Sequence, residues 1–317
     1  MAKIERDDIY VISRHSDLRK SEIHALLQQH VYTNAASWKK FLRIFFMALG
    51  VGFLVAGIIM FFAYNWDSLG KFSKIGLIEI LIVITVSLVL LTKLKQDIKN
   101  ICLTGASVLV GVLFAVFGQI YQTGANAYDF FLGWTISITL WVFVAGFGPL
   151  WLIYLLLINT TVVLYSEQVA GNWSTAFVYT LIFAINLFAL VIFVLLSESR
   201  RLLKMPSWFV KTLALATVAC TTIGITAGIF GGPDPAFYVL ILLTIISYGA
   251  GILYSLKKKR AFFLSIIPFS LVIIISDLLL NLGSDASMFF ITFLFVIISV
   301  TLIIRNLISL QKKWAVE

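Results

Sequence analysis

Ten apolar blocks, separated by short polar breaks, limit what this chain can fold into more than any other feature. They fall near 44–64, 75–92, 101–120, 129–146, 149–166, 174–196, 208–230, 236–256, 261–281 and 287–309. At a helical rise of 1.5 Å per residue, each is long enough to cross a hydrocarbon core of roughly 30 Å, the fourth and fifth only just. The composition agrees: 61% of the residues are apolar and 12% charged, where a soluble domain has about half and a quarter. The pattern predicts an all-α polytopic transmembrane helical bundle of about ten spans.

The stretch 129–165 decides the parity of that count. Read as one helix it would be roughly 55 Å long, nearly twice the hydrocarbon thickness. Gly146-Phe147-Gly148-Pro149 lies at its centre, and glycines followed by proline end one helix and start another. Two spans are therefore expected. With the N-terminus inside, 22 of the 24 basic residues fall on the cytoplasmic side, leaving only Lys71 and Lys74 outside. That asymmetry follows the positive-inside rule and predicts cytoplasmic termini. A single span over 129–165 would invert every later loop. The first 40 residues are polar, with no apolar stretch behind a basic start, which predicts no cleavable signal peptide. Three regions result: a cytoplasmic amphipathic helical tail (1–40), spans one to five (41–166) and spans six to ten (167–317). Within the tail, Leu18, Ile23, Leu26, Leu27 and Val31 share one face of a short helix. Thr33 or Asn34 is placed to cap a second helix running into the first span.

Several chemistries are disfavoured. Basic residues in short runs between apolar blocks do not make a nucleic-acid surface. His15, His24 and His30 all lie in the tail, and none is placed for haem or for a base within the membrane. Cys102 and Cys220 stand alone and read as small buried apolar residues. There is no phosphate-binding loop of the ATPase type. No metal or cofactor is expected. Small residues recur four apart: Ala48, Gly52 and Ala56; Ser107, Gly111 and Ala115; Gly224, Gly228 and Gly232; Ser247, Gly251 and Ser255. They predict seams where helix backbones approach closely.

Polar residues near the outer ends of the spans carry the functional signal. Glu79 and Asp277 are the acids within spans, and intramembrane acids mark functional sites by default. Asp277 shares a helix face with Ser270 and Asn281, above a bend expected at Pro268. Structural alternatives stand beside this reading: Glu79 pairing with Lys71 or Lys74, and Asp277 bonded to a neighbouring helix. The densest motif is Phe117–Phe131, FGQIYQTGANAYDFF, which supplies Gln119, Tyr121, Gln122, Asn126 and Asp129 at the level where Asn65-Trp66-Asp67 ends the first span. Those residues, with Glu79, are expected to meet in one outward pocket. An interfacial aromatic and amide belt is the plainer alternative.

Asn65-Trp66 together with Gly118-Gln119-Ile120-Tyr121-Gln122-Thr123-Gly124 resembles the bacterial membrane-protein family catalogued as domain of unknown function 2157. The resemblance covers residues 20–165. It implies a multi-pass protein of the bacterial inner (cytoplasmic) membrane and no particular activity. It also implies, as a partner, another multi-span membrane protein, since members often lie beside one.

Two readings of function stand first. In one, an outer Gln/Asn/Asp cluster binds or transports a small polar solute or lipid headgroup, through Asn65, Asp67, Glu79, Gln119, Tyr121, Gln122, Asn126, Asp129 and Asp277. In the other, the chain is a non-catalytic scaffold of an envelope complex. An enzyme acting on a lipid-linked substrate comes third. Its acids are available, but the outer loops are short and carry no basic cluster to hold phosphate.

Overall fold

The computed structural model describes residues 9, 13, 16, 18–30, 35–121, 124, 126–198, 205–283 and 285–314. A short helix α1 (Lys20–His30) precedes ten helices long and apolar enough to span a bilayer. These are α2 (Ala35–Tyr64), α3 (Lys71–Leu91), α4 (Gln96–Tyr121), α5 (Ala127–Ala145), α6 (Gly148–Gln168), α7 (Thr175–Glu198), α8 (Ser207–Gly231), α9 (Pro235–Lys257), α10 (Ala261–Leu282) and α11 (Ala286–Trp314).

The break at 146–149 forms as its residues dictate. Gly146 takes a left-handed conformation (φ 53°) and its N–H closes α5 on the Val142 carbonyl, while Pro149 occupies the first turn of α6. In the tail, Ile23, Leu26 and Leu27 lie on the less exposed side of α1. Asp17, Val31 and the candidate caps Thr33 and Asn34 lie outside the described residues. Ile9 is 2% exposed, so at least one tail residue packs against protein.

Packing is not a simple succession of neighbours. α4 lies at the centre of the first five spans, in contact with α2, α3 and α5. α8 holds the same place in the second five, against α7, α9 and α10, and also touches α6. Half of the apolar window in each of these two helices is buried, against 6% in α2 and α11. α2 and α3 flank α4, and meet at one end through Phe62, Ile78 and Val116. The main core crosses between the halves, with Val142, Leu150 and Leu155 packed with Phe193, Phe209 and Leu213. Midway along their helices, Asn159 of α6 and Asn186 of α7 exchange amide hydrogen bonds of 3.2 and 3.0 Å. Such interhelical amide pairs contribute about 0.6 kcal/mol in a bilayer and up to about 1.7.

Side chains of neighbouring helices enter at the small residues, and at Gly224 the helices approach so closely that the Tyr179 Cβ lies 2.6 Å from the missing Cβ. A Cβ on Gly105 would lie 2.6 Å from Val51, and one on Gly111 would lie 2.6 Å from the Trp134 indole. In the second half, Gly224 receives Tyr179 and Leu240, and Gly228 receives Phe237. Small residues here make sockets for knobs.

Candidate functional site

Residues 65–70, 124, 126, 169–174, 232–234, 283 and 285 lie between helices at one end of the bundle, called the box end after the Gly-Gln box. Aromatic rings and hydrogen bonds link several of them. Tyr128 packs edge-on to Tyr165, which meets Trp173, and the Tyr128 N–H donates to Gln168 Oε1 at 3.0 Å. Ser174 ties the next loop in. Its hydroxyl accepts from Phe177 N–H and donates to the Asp234 carboxylate, which also accepts from Phe237 N–H at 2.8 Å. The Ser174 hydroxyl first, and the Phe237 N–H second, hold the Asp234 carboxyl below its ordinary value.

Two motifs far apart in sequence wall one cavity of ≈ 340 Å³ between α2 and α4. Trp66 closes it from the Asn-Trp pair, Gln119 from the Gly-Gln box, and Trp134 of α5 from the side. The Trp134 position follows from two facts about α4. Gly111 leaves room for the indole, and the Ser107 carbonyl accepts its Nε1–H at 2.7 Å. Below it a second cavity of ≈ 380 Å³ continues between the same helices, sharing Val108 and lined by Ala48, Gly52 and Gly105. The small face of α2 thus borders open volume along much of its length.

Lys74 supplies the charge. It is 7% exposed, with its Nζ 3.8 Å from the centre of the Trp66 ring. A desolvated cation over an indole gains about 2 kcal/mol. That is less than the several kcal/mol that burying an ammonium costs. No carboxylate pairs with it among the described residues. Glu79, expected as a partner, is exposed on α3 and makes no ion pair among the described residues.

The other expected site residues have separate occupations. Asn65 donates its side-chain N–H to the Phe61 carbonyl at 2.9 Å, and its own carbonyl accepts from Ser68. Asp67 is exposed. Tyr121 is exposed and packs on Phe117, 4.6 Å between ring centres. Asp129 accepts the Asn126 N–H at 3.1 Å, fastening the start of α5. Gln122 and Thr123 lie outside the described residues. Of the expected cluster, Gln119 lines the cavity, and Trp66 joins it.

Asp277 stands elsewhere. With Thr222, Thr226 and Ser270 it lines a cavity of ≈ 600 Å³ between α8 and α10. Thr226 donates its hydroxyl to the Asp277 carboxylate. Deeper along the same helices, Tyr248, Ser270 and Thr222 form a chain of 2.6 Å hydrogen bonds that ends on the Val218 carbonyl. Beside it, Thr221 of α8 and Thr244 of α9 bond at 2.6 Å. The sequence reading misses these hydroxyls on α8 and α9. One signal for them exists: Thr222 and Thr226 stand four apart on one face of α8, as Ser270 and Asp277 stand seven apart on α10.

No curated protein and no solved structure matches the chain. The family model described as Predicted membrane protein (DUF2157) matches residues 18–151, a stretch that holds both Trp66 and Gln119 and stops within α6. The chain is a multi-pass membrane protein whose first four spans, cavity included, are similar to that family.

Proposed function

We propose that the protein binds a lipid headgroup or a small polar solute of negative charge at the box end, in the cavity between α2 and α4. The observation that carries this reading is the joint wall of Trp66 and Gln119, with an ammonium that has no counter-ion among the described residues lying against the same indole. Apolar walls suit an acyl chain. Gln119 offers amide donors and Lys74 a charge to a phosphate or carboxylate. Asn65, Asp67, Glu79, Tyr121, Asn126 and Asp129 form the polar rim in this reading. Because only Lys71 and Lys74 of the 24 basic residues fall in sequence near the box-end segments, the box end in this reading faces outward and both termini lie in the cytoplasm of a bacterial cell.

Native mass spectrometry of the purified protein with added phosphatidylglycerol or phosphatidylcholine tests it. Phosphatidylglycerol is expected to be retained, and to be lost in Lys74→Met and Gln119→Ala at unchanged melting temperature. Equal retention of both lipids by the wild type and by Lys74→Met overturns the reading. The bare faces of α2 and α11 favour a second reading, a scaffold that seats another multi-span protein. A stoichiometric partner co-purified in mild detergent would support it.

A further inference from the structure

The cavity between α8 and α10 has a chemistry of its own, and it shares no residue with the site proposed above. Its walls are mainly apolar, with Leu215, Ile223, Phe269 and Ile273 among them. Its volume of ≈ 600 Å³ lies in the range of ligand pockets, roughly 300–1,000 Å³. The polar groups are not scattered over it. They stand at two levels, Asp277 with Thr226 above, Ser270 with Thr222 below.

The two levels differ in what they leave unsatisfied. In the lower one, Tyr248 donates to Ser270, Ser270 to Thr222, and Thr222 to the Val218 carbonyl, so every hydroxyl proton is used. The upper one is incomplete. A carboxylate accepts through two oxygens and about four lone-pair sites, and among the described residues Asp277 receives one donor, Thr226. No ion pair reaches it among the described residues. Asp277 lies five residues before the end of α10, roughly 7.5 Å down the helix. At that depth an acid with one neutral donor is costly, and further donors stabilise it.

Charge narrows the class of donor. No Lys or Arg occurs in 212–256 or in 261–304, so no cation of α8, α9 or α10 stands at the level of Asp277 to hold a phosphate; Lys211 of α8 lies beyond the far end of the cavity, over the Phe262 ring. A phospholipid headgroup would meet a carboxylate with nothing to offset the repulsion. A neutral hydroxyl meets no such penalty, and it sinks below the level of the phosphates because its head is small. We propose that this cavity binds a long-chain alcohol, its hydroxyl donating to Asp277 and its tail lying against Ile223, Phe269 and Ile273. Diacylglycerols and polyprenols share that chemistry.

The test is competitive binding to the full-length protein in detergent, with dioleoylglycerol, a polyprenol, phosphatidylethanolamine and phosphatidylglycerol as the probes. One or both alcohols are expected to bind at one per chain in preference to the phospholipids, and which of them binds identifies the source. Asp277→Leu is expected to weaken the alcohol about tenfold or more, as for a lost hydrogen bond to a charged group. Ile273→Trp, which fills the cavity and leaves every hydroxyl in place, is expected to abolish binding and covers the case in which Asp277→Leu does not fold. Retention of phosphatidylglycerol by Lys74→Met plays no part in this result, so the two sites fail separately. Phospholipid binding that is as tight as that of the alcohols and is lost in Ile273→Trp, no alcohol binding, or alcohol binding unchanged in Ile273→Trp overturns the proposal.

Discussion

The two halves of the bundle each set a charge without a counter-ion among the described residues beside a cavity, and the two charges have opposite sign. In the first half it is the Lys74 ammonium, buried over the Trp66 indole beside an aromatic-walled cavity. In the second it is the Asp277 carboxylate, held by a single threonine hydroxyl in a larger cavity. The first half carries the motifs, yet much of its polar display is absorbed locally: Asn65 bonds its own helix, and Asp129 secures a helix start. The second half carries no motif, yet it holds the denser hydrogen-bond network. A conspicuous polar cluster near helix ends mostly serves backbone groups that those ends leave open. Hydroxyls spaced along a span are inconspicuous, but each must find a partner in a medium that offers none.

The largest effect expected is all-or-none and asks whether both regions open on the same side. In a variant lacking Cys102 and Cys220, cysteines introduced as Asn126→Cys in the first half and Pro233→Cys in the second should both react with an impermeant thiol reagent added to intact cells. Lys258→Cys should not. Labelling of the first two from opposite sides would break the comparison, because the two cavities would then serve different compartments.

Substitution of glycines gives an intermediate effect. Gly111→Leu drives a side chain into Trp134, whereas Gly118, about two turns along the same helix, has nothing within 4 Å of its missing Cβ. Overpacking of this kind costs about 1–3 kcal/mol. Gly111→Leu should lower the melting temperature and weaken ligand retention at the first cavity, while Gly118→Leu leaves both unchanged. Equal behaviour of the two variants would mean that Trp134 does not form the cavity wall.

The smallest effect concerns pH at the loop that joins α8 to α9. Asp234 is held below the ordinary carboxylate value of 3.8 by the Ser174 hydroxyl and the Phe237 N–H. A depressed carboxyl stabilises the fold above that value, and its contribution is lost as pH falls through the lowered one. The group is solvated, so the contribution is that of a helix cap, about 1 kcal/mol or less. Thermal melts between pH 5 and pH 3 (both about one unit from the ordinary value) should fall more for the wild type than for Asp234→Asn. Parallel curves would remove Asp234 from the account of how the box-end loops are tied.

Hydropathy dictates the ten spans, and the glycines and proline of 146–149 dictate the break between the fourth and the fifth. These are consequences of local chemistry: a buried backbone in lipid must hydrogen-bond within its own segment, so an apolar run of sufficient length becomes a helix wherever it packs. The resemblance of the first four spans to a membrane-protein family is equally legible, because Asn65-Trp66 and the Gly-Gln box are contiguous strings. What the sequence leaves open depends on rotation about helix axes and on which helices touch. Short loops predict that the first three spans pack in succession, whereas α4 lies between α2 and α3. Small-residue spacing predicts close approach but not which side chain enters, and Trp134 at Gly111 and Phe237 at Gly228 are legible only in the packed structure. Trp66 meeting Gln119, Thr226 meeting Asp277 and Asn186 meeting Asn159 all join different helices or their ends. In a bilayer nearly every helix face is apolar enough to meet lipid or protein, so hydropathy does not choose between them. Shape and the few available hydrogen bonds do, and both exist only once the helices are packed.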